Sequence, residues 1–290
     1  MDKRPPDILV SVFRGCRLAV HFLYGMLLAI FYPYLNQTRQ RRILKTWSRQ
    51  LLNTLNIGIR TEGQRLVRGE SGCLVVANHV SWLDIFVLNA VYPSRFIAKA
   101  EVRNWPFIGW LCKRSGSIFI ERAIRQDASS VNLRVSALLK QGVCVGLFPE
   151  GATTDGKQVG HFHSALIQPA IDAGARLCPI ALRYQDEAGE LSAAAAFTGD
   201  TTLAQSIRQI LRCRHLNALV VFNPALIAVG ESRRVLARAA QEAISQGLQK
   251  VAAMQQVPEQ QTTPAIPQAL LSAQSGYASL VLPLPDRLSK

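Results

Sequence analysis

Residues 73–90, Cys-Leu-Val-Val-Ala-Asn-His-Val-Ser-Trp-Leu-Asp-Ile-Phe-Val-Leu-Asn-Ala, change character halfway along. Cys73–Ala77 is a short unbroken apolar run, the signature of a strand buried on both faces. Ser81–Ala90 reads as a helix, opened by a Ser-x-x-acid start at Ser81 and Asp84. A strand running straight into a helix puts His79 at the junction and Asp84 one turn inside. The carboxyl ends of strands in α/β sheets open on a crevice. An imidazole there, beside a carboxylate that fixes its tautomer, can act as a general base. The bland reading is equally good on this stretch alone: Asp84 as part of the helix start and His79 as an ordinary junction residue.

The same alternation continues along the chain. Short apolar runs fall at Arg95–Ala98, Ser117–Ile120, Val143–Phe148, Leu177–Leu182 and Ala218–Phe222. Helical patterns lie between them, at Ser129–Lys140 and Ser164–Ala173, and Ser232–Ala253 makes a final helix. This is the pattern of an α/β domain with a central, largely parallel sheet. Three regions follow: residues 1–60, helical and membrane-facing; 61–253, the α/β domain; and 254–290, a Gln/Pro-rich tail whose composition reads as disordered.

Composition narrows the partners. Of 290 residues, 33 are Lys or Arg and 19 are Asp or Glu, a net charge of +14, while 49% are apolar. That excludes a wholly disordered chain and points to something anionic: nucleic acid, a lipid surface or a phosphorylated substrate. Residues 8–35 supply the greasy part, and Leu18–Leu35 has His21 as its only readily ionisable side chain. Arg14 and Arg17 precede this run, and Arg39, Arg41, Arg42 and Lys45 follow it. Cations on both flanks give no orientation. A spanning helix and a helix embedded in one leaflet both fit, with cations on lipid phosphates.

The six cysteines have no metal or dithiol spacing, and Cys73, Cys144 and Cys178 read as reduced core residues of a cytosol-facing domain. His161 and His163 alternate as a metal pair would, but no third ligand is near, so no metal is expected. Nor does the chain hold a dinucleotide fingerprint, a phosphate loop or a Gly-x-Ser-x-Gly elbow.

Three further segments carry chemistry. Gly116–Arg122 is an apolar strand ending in an acid and an Arg, suited to bidentate phosphate binding or simply a solvated strand end. Phe148-Pro-Glu-Gly-Ala-Thr-Thr-Asp-Gly156 follows a buried strand with a turn that can aim N–H groups and a carboxylate at a ligand, or is a plain loop. Cys178-Pro179-Ile180 puts a proline near the start of a strand.

Taken in order, these segments resemble the four motif blocks of the glycerolipid acyltransferase family, whose best-known member is lysophosphatidate acyltransferase. The blocks read Asn-His-x4-Asp, Gly-x-x-Phe-Ile-x-Arg, Phe-Pro-Glu-Gly and a Pro in an apolar strand, and they cover about residues 70–225. Ala98-Lys99-Ala100-Glu101 with Pro106 and Gly109 resembles the family's stretch between the first two blocks. The resemblance implies the family's α/β acyltransferase domain with membrane-associated N-terminal helices, its catalytic face toward the cytoplasm. It implies transfer of an acyl group from acyl-CoA or acyl carrier protein to a lysolipid hydroxyl, with no metal and no cofactor. His79 becomes the base and Asp84 its orienting carboxylate. Arg122, Lys99, Glu150, Gly151 and Thr153 fall on the acceptor side, Asn78 and Ser81 beside the base, and Pro179 in the acyl wall.

The implied acceptor is 1-acyl-sn-glycerol-3-phosphate. One departure opens an alternative. Where the lysophosphatidate enzymes read Glu-Gly-Thr-Arg, this chain reads Glu150-Gly151-Ala152-Thr153 and lacks the Arg. Lyso-ornithine lipid or another lysophospholipid then enters as acceptor. A basic nucleic-acid-binding protein is the alternative of another class; no nucleic-acid motif supports it, and no nucleic-acid partner is expected. Oligomeric state is left open.

Overall fold

The computed structural model describes residues 8–64, 72–121 and 125–255. The helices are α1 (Ile8–Phe31), α2 (Gln37–Thr54), α3 (Asp84–Val91), α4 (Ile108–Arg114), α5 (Arg125–Lys140), α6 (Gln168–Asp172), α7 (Leu203–Leu211) and α8 (Arg233–Gln255). The strands are β1 (Ile57–Gly63), β2 (Cys73–Ala77), β3 (Arg95–Lys99), β4 (Ile118–Ile120), β5 (Val145–Leu147), β6 (Arg176–Gln185) and β7 (Leu216–Phe222). They form one seven-stranded sheet in the order β1-β7-β6-β2-β5-β3-β4. Every neighbouring pair is parallel except β6 with β7.

The apolar run Cys73–Ala77 is buried at all five positions because β2 sits in the middle of the sheet, between β5 and β6. Alternate residues feed two cores. Val75 and Ala77 face α2 and α3 with Leu52, Leu55, Val87 and Leu88, while Leu74 and Val76 face α5 and α8 with Val135, Leu139, Ala240 and Ile244. A three-layer sandwich follows, with helices on both faces.

The sheet begins earlier than expected. Ile57–Gly63, half of it inside the stretch read as helical, is an edge strand parallel to β7. Its apolar side chains are spaced one apart over only three positions, a short signal next to the long helical pattern of α2. Helix α2, read from the sequence as membrane-facing, contributes Leu51 and Leu52 to the core. Pro179 lies one position beyond the last β6–β7 pair, Ile180 with Phe222, where its missing N–H forfeits no rung to that strand. The expected tail, 254–290, falls outside the described residues except for Met254 and Gln255, which close α8.

Helix α1 shows an inverted surface. Its buried residues are His21, Gly25 and Ala29, one stripe at four-residue spacing. Leu9, Phe13, Val20, Leu23, Leu27 and Phe31 are exposed. The stripe is docked along its length. Arg14 Nη1 donates to the Cys213 carbonyl at 2.7 Å near one end, and Arg114 Nε donates to the Ala29 carbonyl at 2.9 Å near the other. In the middle, His21 stacks on Trp47 of α2 at 4.8 Å. A Cβ at Gly25 would sit 2.6 Å from Trp47 Nε1, so the two helices meet there only because residue 25 has no side chain. The segment Ile8–Tyr34 is long and apolar enough to cross a membrane, with mean hydropathy 1.5.

Candidate active site

The chain leaves β2 at Ala77, and Asn78 is wholly buried. Its side-chain amide copies a strand: Nδ2 donates to the Leu182 carbonyl at 2.9 Å, and Oδ1 accepts the Leu182 N–H at 2.7 Å. This ties the end of β2 to β6 where backbone pairing stops. Asn78 was expected beside the base, and its two hydrogen bonds to Leu182 make the buried amide part of the frame there.

His79 comes next, held from both sides of its backbone. Its N–H donates to Glu150 Oε2 at 3.1 Å, and its carbonyl accepts the Thr154 N–H at 2.8 Å and the Thr154 hydroxyl at 3.1 Å. The imidazole lies flat on Phe148, centroids 4.0 Å apart and planes 7° from parallel. Phe148 rests in turn on Phe96 at 5.5 Å, and Phe96 fills the space a side chain at Gly146 would take, 2.5 Å from that position.

His79 Nδ1 is 2.8 Å from Asp84 Oδ2; the carboxylate is fully buried, and the ring side chain is 20% exposed. A carboxylate only accepts, so Nδ1 carries the proton and Nε2 presents a bare lone pair on the far side of the ring. Asp84 Oδ2 also accepts the N–H groups of Val80 at 2.7 Å and Ser81 at 2.9 Å. Its other oxygen, Oδ1, accepts the Tyr184 hydroxyl at 2.8 Å. Burial and the Asp84 charge push the Tyr184 phenol well above its ordinary range, so it stays a donor. The helix-start reading of Asp84 and the orienting reading are therefore both realised by one carboxylate. Ser81 does not cap α3: it is buried, and its hydroxyl has no partner among the described residues. It stays beside the base as expected, through its backbone N–H on Asp84.

Glu150 is a brace. Oε1 accepts the Gly160 N–H at 2.9 Å while Oε2 holds His79. Burial raises its carboxyl to about 6, opposed by those two N–H groups. Expected on the acceptor side, it is turned inward by these contacts. Gly151 takes φ +81°, a left-handed turn natural only to glycine, and so lets the loop double back under His79. Thr153 donates its hydroxyl proton to the Phe197 carbonyl, and Phe197 N–H donates to Val80 O at 2.9 Å. Thr153 thus stitches loops together, and its hydroxyl has no proton left for an anion.

Lys99 is exposed at the carboxyl end of β3, level with Ile120 at the end of β4. Arg122 lies outside the described residues. His161 and His163 sit 5.3 Å apart with perpendicular rings, and among the described residues no three His, Cys, Asp or Glu side chains could share a metal. Cys73, Cys144 and Cys178 are buried. Bonding to Cys73 and burial hold the Cys144 thiol above its ordinary range, the opposite of an activated nucleophile.

Sequence reasoning missed Tyr184, Thr154 and Phe148 as supports of the base. Tyr184 lies 100 positions from Asp84; no spacing rule links them. Thr154 and Phe148 sit in a segment already singled out, but only the fold turns them toward His79.

Comparison with known proteins follows the same segments. The family described as Acyltransferase matches residues 58–183. A 1-acyl-sn-glycerol-3-phosphate acyltransferase of Neisseria meningitidis is 39% identical over 223 residues, 77% of this chain and 86% of that protein. A lyso-ornithine lipid O-acyltransferase of Pseudomonas aeruginosa is 35% identical over 205 residues, 71% of this chain and 78% of that protein. The crystal structure of the 1-acyl-sn-glycerophosphate acyltransferase of Thermotoga maritima shares the fold, with TM-score 0.59 and 19% identity over 83% of this chain and 98% of that one.

Proposed function

The chain belongs to the acyltransferase family, and from that membership we propose that it moves a fatty acyl group from acyl-CoA or acyl carrier protein to the hydroxyl of 1-acyl-sn-glycerol-3-phosphate at a membrane surface. The observation that carries this reading is the 2.8 Å contact between a part-exposed imidazole and a fully buried carboxylate. His79 Nε2 takes the hydroxyl proton as the acceptor oxygen attacks the thioester carbonyl carbon. Asp84 stabilises the imidazolium through Nδ1–H. The C–S bond of the tetrahedral intermediate then breaks, and the imidazolium returns its proton to the departing thiolate. No covalent enzyme intermediate is needed, which agrees with the inert buried thiols.

Charge supports an anionic acceptor and an acidic donor. Lys99, and Arg122 by its place in the sequence, are the cations on the acceptor side. The +14 net charge then meets lipid phosphates and donor rather than nucleic acid. Because α1 is docked on the domain from Arg14 to Ala29, its exposed apolar face fits a helix lying in one leaflet, not one standing across the bilayer.

A second acceptor has its own support. Thr153 stands where an Arg would help hold a phosphate, and its hydroxyl is already spent on Phe197. Lyso-ornithine lipid, which needs no phosphate contact, fits that loop. The test is to give the full chain a mixed pool of both lysolipids in vesicles with each donor and to weigh the products. Phosphatidate as main product is expected. Acylated lyso-ornithine lipid instead establishes the second reading, and no acylated product from either donor removes the transfer reaction.

A further inference from the structure

The connection from β3 to α4 builds an exposed aromatic tip. Residues 103–107, Arg-Asn-Trp-Pro-Phe, are all exposed, and Trp110 on α4 joins them. The backbone of the tip is hydrogen-bonded to itself. Trp105 N–H donates to Val102 O at 3.1 Å, Gly109 N–H to Trp105 O at 2.9 Å and Leu111 N–H to Phe107 O at 2.9 Å. Gly109 lies against the Arg103 carbonyl so closely that a Cβ would collide with it, which pinches the base of the tip shut. Phe107 occupies φ +61°, ψ −48°, a strained conformation for a bulky residue, and the residue is 64% exposed. Strain held in place by surrounding bonds, with the ring turned outward, marks a segment built to present that ring.

Cations surround the rings. Arg103, whose guanidinium lies 5.1 Å over the Phe119 ring, and Lys113 flank the tip in sequence and are exposed. Arg114 lies 5.8 Å from the Trp110 ring centroid and 5.6 Å from that of Tyr34, and its guanidinium also holds the Ala29 and Ile30 carbonyls at the end of α1. One side chain therefore joins the aromatic tip to the exposed apolar face of α1 in a continuous surface. Trp, Phe and Tyr interleaved with Arg and Lys is the composition of a headgroup-level contact with an anionic bilayer.

We propose that the Arg103–Trp110 segment is a second membrane-contact element, an aromatic wedge seated at the headgroup level of an anionic bilayer and continuous with α1. It leaves the carboxyl end of β3, the strand next to β5 in the sheet, and Phe96 of β3 stacks on Phe148, which in turn carries His79. The wedge thus sets the edge of the site against the bilayer, and a lysolipid reaches His79 from the leaflet. This rests on the membrane-surface part of the proposed function and not on its chemistry.

Binding and turnover are read separately in the test. The full chain and its Phe107→Asp and Trp105→Gln variants are floated with phosphatidylglycerol/phosphatidylcholine vesicles and with phosphatidylcholine alone. Tryptophan quenching by brominated phospholipid is recorded on the same samples. Lipid quenches the wild type, and Trp105→Gln loses a large share of that quenching. Phe107→Asp weakens binding to the anionic vesicles about tenfold. It lowers kcat/KM for vesicle-embedded lysolipid by a similar factor and leaves a short-chain, water-soluble lysolipid unaffected. Unchanged flotation and quenching in both variants would overturn the proposal. So would equal losses on both substrates, or loss of affinity for acyl carrier protein with vesicle binding intact. Flotation needs no turnover, so failure of the acyl-transfer reading leaves this test standing.

Discussion

Helix α1 and the junction after β2 treat polarity in opposite ways. Along α1 the large apolar side chains face outward, and the buried stripe is His21, Gly25 and Ala29. At the junction the polar side chains face inward: Asn78, Ser81, Asp84 and Glu150 are all buried. The first arrangement does not suit a surface that meets water alone, and the second would be costly if its polar groups were left unpaired. The first becomes favourable when lipid replaces water on the outer face. The second becomes favourable because nearly every buried donor and acceptor meets a partner, Asp84 alone taking four hydrogen bonds. The contrast separates where the protein works from what it does there, and each half can be broken without the other.

The largest break is at the base. His79→Ala should lower acyl transfer by about a thousandfold while vesicle binding stays at the wild-type level, measured by product mass and flotation. Retained transfer would remove His79 from the reaction.

Next comes the α1 stripe. Gly25→Val places a Cβ 2.6 Å from Trp47 Nε1. The overpacking should cost about 1–3 kcal/mol, seen as earlier thermal unfolding and faster proteolysis between α1 and α2. His79–Asp84 geometry should be untouched, so turnover of a water-soluble acceptor by the folded fraction stays normal. A silent Gly25→Val would mean that α1 is not held by that stripe.

A smaller effect belongs to Tyr184. Tyr184→Phe leaves Asp84 Oδ1 without its 2.8 Å donor in a fully buried place. The loss of that bond should lower kcat about tenfold with KM unchanged, and should shift the low-field proton signal of His79 Nδ1–H. A purely structural tyrosine would lower the melting temperature and move neither of those.

The smallest effect is a pH dependence. Burial raises Glu150 from its ordinary 4.5 to about 6 in the folded chain. The folded state then holds this proton more tightly than the unfolded one. Stability from this group is full below pH 4.5 and is lost as pH rises through 6. With partial solvation discounted, the loss is about 1 kcal/mol. Glu150→Gln cannot ionise, so the difference in denaturant midpoint between wild type and variant should narrow across that window. A difference flat with pH would place the Glu150 titration elsewhere.

Much of this was legible before any fold was available, and the limits are specific. Cys73–Ala77 read as a buried strand and is one, because an unbroken apolar run needs two covered faces. The helix after it was legible too, though it starts at Asp84, where the carboxylate reaches back to Val80 and Ser81. Strand β1 was not, since three weakly alternating positions cannot compete with the pattern of α2 beside them. Asn78 and Ser81 were found beside the base and Glu150 and Thr153 on the acceptor side, but which way each side chain turns came only with the fold. Spacing marks a residue as special without telling whether its side chain turns toward ligand or backbone.

Residue order alone determined the alternation of strands and helices, the placing of His79 at a strand–helix junction five positions before Asp84, and the greasy, cation-flanked N-terminus. Those are local properties: period, junction and a five-residue separation. The tertiary structure decided that Tyr184 closes the far side of Asp84, that Glu150 and Thr154 grip the His79 backbone, and that α1 lies along the domain with its apolar face outward. Each of these joins segments tens to more than a hundred positions apart. Such contacts form only when sheet order brings strand ends together, and no pattern along the chain encodes that distance.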